Sequence, residues 1–287
     1  MPDYRRPLEF GANVDPTASE LRLARDMAAV AEARGVELLG VQDHPYQWRF
    51  LDTWMLLPTL LAETDSVRVF PNVANLPLRG PAMLAKAAAS LDAISGGRFE
   101  LGLGAGSFWE GIAAMGGPGR RPGEAVDALG EAIRIIRLFW SGERSITFEG
   151  RYYSVRGLHP GPPPAHPIGI WVGALKPRML GLTGRLADGW SVSRPYVSPE
   201  EVPDLQARID EGAHEAGRDP ADIRRLYNLM GTIEDVGGWV EELTRFAVDL
   251  GLDTFVFWPA DDHLRQLDLF AAEVVPAVRE AVERERD

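Results

Sequence analysis

Apolar positions along the chain fall into two alternating kinds of run. Leu8–Asn13, Val36–Gln42, Val67–Val73 and Arg98–Gly104 are short and β-rich, and each is followed by a longer stretch with apolar residues at helical spacing. In Pro16–Arg34, for example, Leu21, Ala24, Met27, Ala28 and Ala31 share one helical face, and Gly35 ends the run. Leu51–Glu63, Pro81–Ile94 and Pro122–Trp140 predict three more helices. Pro81 opens the second of these and Ser95-Gly96-Gly97 closes it. A different pattern interrupts. Ile146-Thr147-Phe148 and Tyr152-Tyr153-Ser154, around Glu149-Gly150-Arg151, predict a hairpin. The proline- and glycine-rich Gly157–Pro167 has the composition of a linker. The alternation then resumes with strands at Ile168–Gly173, Gly189–Ser193, Arg225–Ile233 and Thr254–Trp258, and helices at Pro177–Ala187, Pro199–Ala216, Gly238–Leu250 and Leu264–Arg284.

These are eight strand–helix units. Such alternation implies a parallel sheet with helices outside it. Splitting the chain at Gly157–Pro167 would leave each half with exposed sheet edges. The expected fold is therefore α/β, one (β/α)8 TIM barrel over residues 1–287, with an insertion between units four and five. The 287 residues suit a fold that typically takes about 250.

Composition narrows the chemistry. Hydrophobic residues make up 45% and charged residues 25%, enough for a large core. The absence of cysteine excludes disulfides, thiolate metal sites and cysteine nucleophiles. A net charge of −12 disfavours nucleic acid and anionic lipid as partners. The polar opening Met1-Pro2-Asp3-Tyr4-Arg5-Arg6 has no apolar signal core, and no run is long enough to span a membrane, so the cytoplasm is the expected compartment.

In a (β/α)8 barrel the active site lies at the C-terminal ends of the strands. Asp43-His44-Pro45-Tyr46 follows the second strand, and His44 is the one histidine directly at a strand end. It reads either as a proton-handling group or as a loop cap. Asn72, at the end of strand three, reads either as a ligand contact or as turn chemistry. Gly102-Leu103-Gly104-Ala105-Gly106-Ser107 ends strand four with glycines that would let a ligand approach the backbone. Its spacing and its place in the chain are wrong for a dinucleotide fingerprint. Gly173-Ala174-Leu175-Lys176-Pro177-Arg178 places two cations at a helix start, against the helix dipole; it reads either as a site for an anion such as a phosphate or as ordinary helix entry with solvated basic residues. His159, His166, His214 and His263 form no spaced metal set, and no metal site is expected. Asp43 is the one clear strand-end acid, which argues against a hydrolase with paired carboxylates.

In chain order these pieces resemble the luciferase-like monooxygenase family. The likeness rests on Val41-Gln42-Asp43-His44-Pro45-Tyr46, Arg79-Gly80-Pro81, Leu84-Ala85-Lys86, Leu91-Asp92-Ala93-Ile94-Ser95-Gly96-Gly97-Arg98 and Gly102-Leu103-Gly104-Ala105-Gly106. It continues through Gly150-Arg151-Tyr152-Tyr153, Ile170-Trp171-Val172-Gly173 and Gly184-Arg185-Leu186-Ala187-Asp188-Gly189-Trp190. Each piece is weak alone; the ordered set is specific and spans nearly the whole chain.

The resemblance implies a flavin or deazaflavin ring across the barrel mouth. Asp43, His44, Asn72, Val73, Ala105, Gly106 and Ser107 would approach the ring and its side chain, and Gly173, Ala174 and Lys176 the phosphate. His44 would be the catalytic residue. Related proteins carry a non-proline cis peptide at the end of strand three, where Asn72-Val73 stands here. Relatives that oxidise sugar phosphates have a glutamate where this chain has Ser107, so that substrate class is in doubt. Luciferase-type FMN enzymes hold a basic residue near Ala105, and its absence favours the deazaflavin coenzyme F420. The implied activity is F420-dependent hydride transfer to or from a small organic molecule. The alternatives are an FMN-dependent monooxygenase fed by a partner reductase and a non-catalytic flavin-binding protein. The resemblance also implies a homodimer, with the apolar helix surface at Trp54, Leu57 and Leu61 serving either as its interface or as packing onto the barrel.

Overall fold

A computed structural model describes residues 3–287; Met1 and Pro2 of the polar opening lie outside the described residues. Strands and helices alternate as the pattern requires. The first half runs β1 (Glu9–Val14), α1 (Leu21–Arg34), β2 (Leu38–Val41), α2 (Thr53–Ala62), β3 (Arg68–Pro71), β4 (Ala74–Asn75), α3 (Pro81–Ser95), β5 (Leu101–Gly104), α4 (Trp109–Ala114) and α5 (Pro122–Trp140). A hairpin of β6 (Ile146–Glu149) and β7 (Ser154–Leu158) follows. The second half runs β8 (Ile170–Gly173), α6 (Pro177–Leu186), β9 (Gly189–Ser193), α7 (Val202–Glu215), β10 (Arg224–Gly231), α8 (Val236–Val248), β11 (Thr254–Pro259), α9 (His263–Leu269) and α10 (Val275–Arg286).

All strands except the hairpin pair in parallel, in the order β3-β2-β1-β11-β10-β9-β8-β5-β4. The two ends of that order are halves of one interrupted strand. β3 pairs with β2, β4 pairs with β5, and Val69 bridges to Phe99, closing the barrel. The break between the halves is the Asn72–Val73 bond, which is cis as the resemblance implied. β5 and β8 pair directly although the hairpin and the proline-rich segment lie between them in sequence, so that stretch is an insertion into the barrel.

Every second strand residue faces inward, and the inward residues stack in three layers. The bottom layer is charged, with Glu100, Arg68, Glu9, Arg224 and Asp253 linked in that order by ion pairs. The middle layer is apolar: Leu38, Phe70, Trp171, Leu226 and Val256, with the Phe70 and Trp171 rings 5.0 Å apart. The top layer is amide and hydroxyl: Asn13, Asn72, Ser191 and Asn228. The larger apolar core fills the space between strands and helices. Its buried outward-facing strand residues explain why the strands read as near-continuous apolar runs.

Several expectations change in detail. Tyr152 and Tyr153 lie in the hairpin's turn, not its second strand; the Glu131 carboxylate on α5 accepts from the N–H groups of Arg151, Tyr152 and Tyr153 and holds that turn down. The final helix is divided by a π-helical turn at Phe270–Val274. Trp54, Leu57 and Leu61 are buried within their own chain, so that face of α2 packs on the barrel and is no dimer surface. The proline-rich segment is tied to α3 through the Ala165 and His166 N–H groups, which donate to Asp92.

Candidate active site

The C-terminal ends of the strands surround a cavity of about 450 Å³. All the residues expected at a ring or phosphate line it: Asp43, His44, Asn72, Val73, Ala105, Gly106, Ser107, Gly173, Ala174 and Lys176. Closure of the barrel brings them together from the ends of β2, β3, β5 and β8.

The floor is the top layer of the barrel. Asn72 Nδ2 donates to Asn228 Oδ1 at 2.7 Å, and Asn72 Oδ1 accepts from Ser191 Oγ at 3.2 Å. Asn228 Nδ2 in turn donates to the Val192 carbonyl at 3.1 Å and to Ser193 Oγ at 3.2 Å. Asn72 is therefore held by partners far along the chain and is not turn chemistry. Val73, beyond the cis bond, rises over strands β5 and β8: a Cβ on Gly104 would come within 2.7 Å of Val73 Cγ2, and one on Gly173 within 3.3 Å.

That geometry reassigns the glycines of strand four. A Cβ on Gly102 would stand 2.0 Å from the Pro71 carbonyl oxygen. Gly102 and Gly104 thus make room for the interrupted third strand, whereas the expectation from sequence was room for a ligand. Gly106 differs, with φ +90° in the turn that carries Ala105 and Ser107 past the mouth.

Asp43 also proves more structural than its position suggested. Its buried carboxylate accepts from the Asn75 N–H at 2.9 Å and from Arg79 Nε and Nη2 at 2.9 and 3.0 Å. Arg79 is shared with Asp52, the side-chain cap of α2. This clamp fixes the loop that presents His44.

His44 is half-buried, and its Nδ1 lies 2.8 Å from Tyr46 Oη. Burial pushes its pKa below the ordinary histidine value, with Asp43 and Asp15 opposing weakly, so the ring is neutral near pH 7. Burial raises the Tyr46 phenol, which keeps its proton. Tyr46 rests on Phe108, ring centroids 5.2 Å apart. Gly111 permits that contact, since a Cβ there would meet both rings.

Sequence reading missed four residues of this site. Asn228, Ser191 and Ser193 carried no local signal. Asn75 stands just past the end of strand three, and its burial is not visible in the sequence. It is 6% exposed, lines the cavity, and its Oδ1 has no hydrogen-bond partner. A buried unpaired acceptor is costly, so this one marks a place where a ligand donor fits. At the opposite wall Lys176 precedes α6 and makes no ion pair among the described residues, whereas Arg178 pairs with Asp127 at 2.8 Å. Among the described residues no cluster of three or more histidines and carboxylates could hold a metal ion, and no helix is long and apolar enough to cross a membrane.

The family model described as luciferase-like monooxygenase matches residues 7–235. The chain is 29% identical to the F420-dependent glucose-6-phosphate dehydrogenase of Kineococcus radiotolerans over 87% of this chain and 75% of that one. It is 28% identical to the F420-dependent hydroxymycolic acid dehydrogenase of Mycobacterium tuberculosis, over 95% and 89% of the two chains. In fold it is similar to an F420-dependent secondary alcohol dehydrogenase solved with an F420-acetone adduct, with a TM-score of 0.86 at 19% identity over 95% of this chain and 99% of that one. The chain belongs to the luciferase-like monooxygenase family.

Proposed function

We propose that this protein is a coenzyme F420-dependent oxidoreductase that transfers hydride between the deazaflavin and a small organic molecule. The observation that carries this reading is a neutral, half-buried His44 facing a cavity that also holds an unpaired buried amide oxygen and an unpaired lysine. The F420-dependent relatives support the choice of cofactor.

The residues present fit such a group. The Asn75 Oδ1 acceptor suits a ring N–H, and Val73 offers an apolar surface for a flat ring. Lys176 and the start of α6 suit a phosphate. Ala105, Gly106 and Ser107 flank the ring, and Gly173 and Ala174 the phosphate. When bound, the deazaflavin accepts or supplies a hydride.

His44 handles the proton. In the oxidative direction Nδ1–H donates to Tyr46 Oη, leaving Nε2 as the acceptor for a substrate hydroxyl proton. In the reductive direction the doubly protonated ring, its Nδ1–H still donating to Tyr46 Oη, gives its Nε2 proton to a substrate oxygen. The tyrosine oxygen accepts from Nδ1–H in both protonation states, which keeps Nε2 as the nitrogen that exchanges the proton.

By likeness to the family, the proposed enzyme is one domain that assembles as a homodimer in the cytoplasm and relies on a separate F420-linked enzyme to restore its cofactor. Titration with oxidised F420 and with FMN, followed by tryptophan fluorescence, tests the reading; Trp109 lines the cavity and reports on it. Tight binding of F420 alone is expected. Binding of FMN alone, or of neither, would overturn the assignment.

A further inference from the structure

We infer that the substrate is uncharged and largely apolar, with a single hydroxyl or carbonyl oxygen at its reacting carbon. This rests on the cofactor reading above and on the charges of the cavity wall.

Two charged residues line the cavity, Asp43 and Lys176. The Asp43 carboxylate is 1% exposed and fully engaged by Arg79 and the Asn75 N–H. Lys176 stands at the α6 start, where a phosphate of the cofactor takes it. No cation among the described cavity-lining residues then remains for an anionic substrate. Arginines close in sequence to lining residues have partners of their own: Arg79 has Asp43 and Asp52, Arg121 has Glu124, Arg178 has Asp127, Arg194 has both oxygens of Glu242, and Arg120 donates to Tyr153 Oη and lies over its ring. A negative group entering this space would lose water without gaining a counter-charge.

The remaining wall is apolar and aromatic. Tyr46, Trp109, Met179 and Leu175 line it, and Tyr196 stands at the rim, 75% exposed. Phe108, in tilted contact with the Tyr46 ring, extends this surface outward. Exposed aromatics gathered at a cavity mouth favour an apolar guest. The uncommitted polar groups beside it, His44 Nε2 and the Ser107 hydroxyl, are neutral and suit one substrate oxygen. In the oxidative direction the substrate C–H bond yields its hydride to the deazaflavin, and the O–H proton passes to His44 Nε2, leaving a ketone or aldehyde and the reduced cofactor. Reduction is the reverse.

The test compares two aryl ketones that differ by one charge, methyl 4-acetylbenzoate and 4-acetylbenzoate. Each is titrated by calorimetry into protein saturated with oxidised F420. The ester is expected to bind about tenfold more tightly or better. Equal or tighter binding of the carboxylate overturns the inference, as does failure of both to bind up to the ester's solubility. Failure of F420 itself to bind defeats the cofactor reading and is seen in the separate fluorescence titration. In that event the pair is compared on cofactor-free Lys176→Ala protein, whose cavity has no free cation. The same preference for the ester is expected there, and its absence overturns the inference independently.

Discussion

His44 Nδ1 and Tyr46 Oη lie 2.8 Å apart at the end of the second strand, and that hydrogen bond leaves Nε2 as the one free nitrogen of a neutral ring. Replacing His44 with alanine should lower turnover about 100-fold or more while changing the cofactor dissociation constant little. Steady-state kinetics together with fluorescence titration separate the two effects. Unchanged turnover would remove His44 from the chemistry.

The same pair sets a pH dependence. Burial depresses the His44 pKa, so the base form persists below the ordinary histidine value of about 6.5. The acid limb of the oxidative rate profile should therefore fall below that pH. Tyr46→Phe removes the oxygen that holds Nδ1–H and leaves Nε2 toward the cavity, and should reduce turnover more than it raises KM for the substrate.

Asn75 presents a buried acceptor without a donor. Asn75→Ala should weaken F420 binding by about tenfold, the order of one buried hydrogen bond. The readout is the dissociation constant, with thermal unfolding of the cofactor-free protein as control. An unaltered constant would exclude a ring contact.

Gly102→Ala tests the closing of the barrel. Its Cβ would meet the Pro71 carbonyl oxygen, a backbone atom that cannot rotate away. A loss of about 3 kcal/mol or an insoluble product is expected. By contrast Gly80→Ala, where a Cβ meets nothing within 4 Å, should be well tolerated.

His166 ties the insertion to the barrel bottom, 2.6 Å from Asp92 and 3.4 Å from Glu100. The hydrogen bond to Glu100, with the charges of Glu100 and Asp92, raises its pKa despite some burial. A raised folded-state pKa stabilises the fold fully below the unfolded value of about 6.5, and that contribution fades as pH rises through the folded value. Urea unfolding of wild type and His166→Gln should therefore differ most below the unfolded value of about 6.5 and converge as the pH rises through the folded value. A pH-independent difference would contradict this linkage.

The eight alternating units were legible in the sequence because each depends on neighbours within one run. Parallel strands buried on both faces read as apolar stretches, and helices carry their own stripes and proline starts, so α5 was expected at its observed bounds. The C-terminal placement of the site followed from the fold, and His44 followed from its place beside a strand end. Helix α4 was not expected, since its six residues are too few to show a period. The site's polar floor was not legible either. Asn72 and Asn228 are 156 positions apart and meet only because barrel closure turns every second residue of separate strands to one interior.

Thus the sequence alone determined the alternation, the barrel and the end at which chemistry sits, because periodicity and helix-start signals are local. Only the tertiary structure decided which polar groups are already satisfied. Asp43 proved locked by Arg79, Gly102 proved to make room for Pro71, and Asn75 proved to hold an unanswered acceptor. Those assignments depend on burial and on partners brought from distant strands, and neither exists until the sheet closes on itself.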